Sequence, residues 1–149
     1  IKIEIKGDRE VEKMPYIKGE DRNQITLFPE AVDDYITPDN PVRVIEAFVD
    51  SLDMKELGFK RTTPNDVGRP AYDPRDLLKL YLYGYLNRIR SSRKLEAEAG
   101  RNIELMWLLK KLKPDFKTIA DFRKDNKKAI KKRFQTIQPA VQRMGVVRM

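Results

Sequence analysis

Between Asp73 and Arg90 the chain places apolar or aromatic residues on nearly every face of a helix: Leu77, Leu78, Leu80, Tyr81, Leu82, Tyr83, Tyr85, Leu86 and Ile89. A helix that is apolar all round has no face to offer water and must be enclosed by neighbours on several sides. The segment therefore predicts the central helix of a bundle. Asp73 followed by Pro74 reads as a cap and a first helical residue, because proline lacks an N–H that would be unpaired there anyway. Gly84, in the middle, costs about 1 kcal/mol relative to alanine. Its presence predicts the close approach of another helix.

The same signals place helices around this one. Asn40-Pro41 opens a helix in which Val42, Ile45, Phe48, Val49 and Leu52 recur at helical spacing, and Asp53 caps a short turn that Gly58 ends. Ser91 or Ser92 caps RKLEAEA, which stops at Gly100, and Asn102 caps IELMWLLKKL, which ends before Pro114. Thr118 opens TIADFRKDN, and KKAIKKRFQTIQ continues up to Pro139, as one bent helix or two. Residues 59–72 read as a loop by composition. Before residue 40 the pattern is weaker. Ile1, Ile3 and Ile5 alternate with charges, as in a short edge strand or an arm. Residues 8–40 read as irregular chain, with Ile25, Leu27 and Phe28 as a small apolar cluster against the main body. The expectation is an all-α multi-helix bundle, divided into an N-terminal arm over 1–24 and a helical domain over 25–149.

Charge is distributed unevenly along the 149 residues. Residues 1–70 hold 11 Lys and Arg against 15 Asp and Glu, whereas residues 71–149 hold 20 against 8. A basic half joined to an acidic half points to a directional interaction with a polyanion. There is no cysteine and no histidine. That excludes disulfides, Cys/His zinc modules and every nucleophile–histidine pair.

Residues 92–111 fit a helix-turn-helix-like unit: Leu95 and Ala99 on the first inner face, Gly100 in the turn, and Ile103, Met106 and Leu109 on the second. The second helix is too apolar to lie open in a groove, and an ordinary helical hairpin accounts for the pattern equally well. Trp107 reads as core. The basic residues carry more information. Arg88, Arg90, Arg93 and Lys94 cluster where the central helix meets the short one, with Arg101 at that helix's far end. Lys117, Thr118, Arg123, Lys124, Lys127, Lys128, Lys131 and Lys132 follow in the last segment, alongside an apolar stripe of Ile119, Phe122, Ile130, Phe134 and Ile137. Lysines opposite such a stripe can face phosphates, with a steep salt dependence. A lysine-rich solvated helix is the alternative. Asp33, Asp34, Asp39 and Asp73 fall at loops and caps without metal-ligand spacing, so no catalytic residue and no metal site is expected.

KGEDRNQITLFPEAVDDYITPDNPVRVIEAFVDSLDMKELGF resembles the start of insertion-sequence transposases with an InsH-type N-terminal domain. GRPAYDPRDLLKLYLYGYLNRIRSSRKLE and NIELMWLLKKLKPDFKTIADFRKDN extend the resemblance over roughly residues 14–134. It implies a helical, non-catalytic domain that helps recognise terminal inverted repeats, with double-stranded DNA as partner. It also implies DNA contacts near Arg88–Lys94 and Asp115–Asn126. In full-length members an RNase-H-like domain follows, whose Asp-Asp-Glu triad holds divalent metal. Those motifs lie outside this sequence, so no cofactor is expected for this chain. A dimerisation module and a coopted stand-alone DNA-binding regulator are the other readings. No apolar run approaches the ~20 residues of a membrane span, and a cytoplasmic, nucleoid-associated protein is expected.

Overall fold

Five side chains that accept a hydrogen bond from the turn they precede mark where the helices begin. Asn40, Asp73, Ser91, Asn102 and Asp115 cap α1 (Pro41–Asp50), α2 (Pro74–Leu86), α3 (Ser92–Arg101), α4 (Ile103–Leu108) and α5 (Phe116–Asp125). Each such cap is worth about 1 kcal/mol, because it satisfies a backbone N–H that has no partner within the helix. The last helix, α6 (Lys127–Arg143), follows α5 after the single residue Asn126. A 3-10 turn at Val32–Tyr35 precedes α1.

The computed structural model describes residues 20–27, 30–62 and 71–143. The strand-like residues 1–6 and most of the loop over 59–72 lie outside the described residues. The chain divides into two units, Ile1–Glu30 and Ala31–Met149. In the first, Asp21 closes a turn by accepting the N–H of Asn23 at 2.8 Å and that of Gln24 at 2.9 Å. Ile25 and Leu27, expected to cluster with Phe28, are exposed; Phe28 lies outside the described residues.

In the second unit α2 is the axis. Ten of its thirteen residues are buried, and it packs against α1, α4 and α5. All six helices and no strand occur among the described residues, so the all-α expectation holds. Gly84 meets its expected purpose: Leu95 of α3 lies so close that a Cβ there would stand 2.8 Å from its Cδ2. Phe59, Phe122 and Tyr81 stack in a row, with centroids 6.1 and 5.9 Å apart. The Tyr81 hydroxyl donates to the Ile119 carbonyl at 2.8 Å. Asn126 is buried, accepts the Lys60 N–H at 2.8 Å and donates to the Phe122 carbonyl at 3.0 Å. One side chain thus ties the α5–α6 corner to a loop 66 residues away.

Several boundaries differ from expectation, each for a backbone reason. The central helix ends at Leu86 rather than Arg90. Arg88 adopts φ 60°, and the Ile89 N–H reaches back to the Gly84 carbonyl at 2.7 Å. This is a Schellman closure with arginine in the slot glycine usually takes. Lys110 closes α4 in the same way at φ 52°, with the Lys111 N–H on the Met106 carbonyl. Gly100 is helical within α3, and Asn102 alone forms the joint to α4. The inner face of α4 is Leu105 and Leu108, continued by Leu109, while Ile103 is 40% exposed and Met106 is only half-buried. Asp115, not Thr118, opens α5. Residues 116–143 form two helices, and Pro139 lies inside α6 instead of ending it. Pro139 is exposed, so water can meet the carbonyl that its missing N–H leaves unpaired.

Trp107 is half-buried, and its indole N–H donates to Asp33 at 2.7 Å while the Arg43 guanidinium lies 4.9 Å over the ring. Arg43 also pairs with Asp33 at 3.0 Å. The indole hydrogen bond, aided by Arg43, holds the Asp33 carboxyl below its ordinary range. The tryptophan thereby anchors the 3-10 turn on α4.

Burial pushes the phenols of Tyr81 and Tyr83 up to about 12. In the unfolded chain they ionise near pH 10. Below that pH both states hold the proton and stability is complete. Between about pH 10 and 12 only the unfolded chain releases it, so stability falls as pH rises. The melting temperature should therefore decline across that window, and Tyr81→Phe should shallow the decline. A flat profile for the parent protein would contradict the assignment.

Candidate nucleic-acid interface

The interface begins with the periodicity of α6. Ile130 and Ile137 are buried and Phe134 half-buried, so one face of the helix is committed to the bundle. Lys127, Lys131 and Gln135 recur at i, i+4 beside that face and border a groove with Gln138. Three other elements complete the wall: Arg123 from the last turn of α5, Tyr81 and Tyr85 from α2, and Ile89 and Arg90 from the loop after α2. The groove encloses about 570 Å³, within the ~300–1,000 Å³ range of ligand sites.

Its floor is apolar and aromatic. Tyr85, 43% exposed, sits with its ring centroid 4.7 Å from that of Phe134 at an interplanar angle of 40°. Its rim is cationic. Arg90, Arg123, Lys127 and Lys131 make no ion pair among the described residues, and no carboxylate lines the groove. Four uncompensated cations around one concavity repel one another. Lys127 also stands at the first residue of α6, where the helix dipole disfavours a positive charge. A bound anion relieves both costs.

The thirteen residues singled out in the sequence separate into groups. Arg90, Arg123, Lys127 and Lys131 meet at the groove. Lys94, Lys117, Lys124, Lys128 and Lys132 are exposed but do not line it. Arg93 lies 4.1 Å over the ring of Phe116, linking α3 to the start of α5. Arg88 is exposed and occupies the left-handed cap position. Arg101 pairs with Glu98, its Nε donating to Oε1 at 2.6 Å, and these contacts hold the Glu98 carboxyl below its ordinary range. Thr118 is half-buried, its N–H held by Asp115 at 2.7 Å. It lines a separate groove of about 350 Å³ in which Lys60, Arg61 and Lys113 are matched by Asp115, Asp121 and Asp125, so that groove offers no net positive charge to a phosphate. Sequence reasoning missed Tyr85, Gln135 and Gln138 as groove residues. The i, i+4 run Lys127, Lys131, Gln135 was the available signal.

No group of three or more histidine, cysteine or acidic residues arranged to hold a metal occurs among the described residues. None of the described helices is long and apolar enough to cross a membrane. A family model described as a transposase domain (DUF772) matches residues 30–125. No curated protein and no solved structure matches the chain.

Proposed function

Because the chain belongs to this family of transposase domains, we propose that it binds double-stranded DNA as the non-catalytic, end-recognising part of an insertion-sequence transposase. The observation that carries this reading is the unpaired cationic rim of Arg90, Arg123, Lys127 and Lys131, which is free of carboxylates. Phosphate contacts release condensed counterions, so such a rim gives affinity and orientation on a duplex without reading sequence. Discrimination between terminal inverted repeats and other DNA requires base contacts, for which the exposed faces of α3 and α5 are the nearest candidates. In this reading, strand cleavage and its divalent metal belong to an Asp-Asp-Glu domain of the same transposase.

The test is a mobility-shift titration with inverted-repeat and scrambled duplexes at several salt concentrations. The inverted repeat is expected to compete better at physiological salt. Replacing Arg90, Arg123, Lys127 and Lys131 together by Gln should weaken binding to both duplexes and reduce the salt slope by up to about 3–4, at roughly 0.9 per phosphate contact. Replacing Lys94, Lys117, Lys128 and Lys132 instead should reduce it less. Equal affinity for both duplexes argues against end recognition, and no binding at low salt removes the DNA reading.

A further inference from the structure

The groove at the α2–α6 face holds more than a phosphate needs. A duplex backbone rewards cations but gains nothing from an apolar floor, yet Tyr85, Ile89, Ile130 and Phe134 line the same groove as the charged residues. We propose that this groove takes an unpaired, unstacked nucleotide at a DNA end, its base on the aromatic floor and its phosphates on the cationic rim. The proposal rests on the DNA-binding reading above and narrows its substrate to DNA with single-stranded character.

Three observations favour a base over other occupants. Tyr85 is the exposed residue on a helix otherwise almost wholly buried, and its ring already stands against Phe134. Aromatic faces that accept bases irrespective of sequence, set in a basic groove, are how proteins hold single strands. Next, the Tyr85 hydroxyl and the Gln135 and Gln138 amides make no hydrogen bond among the described residues. They line the groove and offer both donors and acceptors, and amides paired with an aromatic platform suit the polar edge of a base. Finally, the groove carries four cations and no acid, which complements an occupant with a charge on every repeating unit. An acidic amphipathic peptide shares the charge but has no use for the two amides, so the nucleotide is the better fit.

Fluorescence anisotropy on the full chain would test this with three labelled probes: a blunt duplex, the same duplex with a four-nucleotide single-stranded flap, and that flap with abasic sites. The flapped probe is expected to bind about tenfold tighter than the blunt one, and the abasic flap should lose most of that gain. Tyr85→Ala should reduce the flap-to-blunt affinity ratio from about tenfold to about one, and Tyr85→Phe should retain most of the preference. Blunt-duplex binding without a flap preference would overturn the inference and leave the DNA reading standing. A gain equally large with the abasic flap would overturn it too, because phosphates alone would then account for binding. Binding to none of the three probes at low salt sinks both readings. A labelled Glu/Leu/Phe-rich peptide that binds where DNA does not would hand the groove to a protein partner and overturn the proposal.

Discussion

Replacing Glu46 with Gln and Asp50 with Asn together is expected to destabilise the protein by about 3 kcal/mol, whereas Lys79→Met should cost far less. Lys79 lies on the central helix with its side chain only 4% exposed, and its ammonium sits 3.0 Å from Asp50 and 3.6 Å from Glu46, both on α1. The asymmetry follows from where water can reach. The two carboxylates are 53% and 26% exposed, so they regain solvent when the lysine is gone. The ammonium is enclosed, and without anions it becomes an uncompensated charge in the core. Methionine retains the unbranched stem in a position that is otherwise apolar. Urea denaturation of the two variants measures the difference. If Lys79→Met costs as much as the double carboxylate variant, the burial argument fails, and the attraction of the ammonium to the two carboxylates outweighs its desolvation.

Gly84→Ala should cost about 2 kcal/mol, although the same change in an open helix stabilises by about 1 kcal/mol. An added Cβ would lie 2.6 Å from the Ile89 carbonyl oxygen and 2.8 Å from Leu95 Cδ2. Leu95 is fully buried in the core, and the Ile89 backbone is fixed by its own hydrogen bond to Gly84 and by the left-handed Arg88. Relief therefore requires moving the loop that bears Ile89 and Arg90, which is one wall of the groove. The variant should lose affinity for flapped DNA as well as melting temperature. Adding Leu95→Ala should not rescue it, since the clash with the carbonyl remains. Thermal unfolding of the single and double variants checks this, and recovery in the double variant would place the conflict in the side chain instead of the backbone.

The nature of the helices was legible wherever a residue's signal is local. Asn40, Asp73, Ser91 and Asn102 cap as their sequence context implies, because a cap needs only the backbone of the next few residues. The all-round apolar character of Leu77–Leu86 made this the enclosed helix for the same reason. Where helices end was less legible. Two residues past Leu86 and Leu108 stand Arg88 and Lys110 in left-handed positions where glycine is usual, and nothing in a one-dimensional pattern announces that conformation. Gly100 showed the converse error: a glycine that looks like a turn but is helical, with open space at its missing Cβ.

For the interface, composition and periodicity established that the later half is basic and that α6 has one apolar face. They could not say which cations share a concavity. Lys127 and Lys128 are adjacent in sequence yet about 100° apart around a helix, and only the first reaches the groove. Arg90 and Arg123 are distant in sequence and join it because the loop after α2 and the end of α5 converge there. Helix formation and net charge are sums over near neighbours, so a sequence carries them directly. A groove is made by side chains from separate elements, and packing of the core around Gly84, Leu95 and Phe122 selects its members.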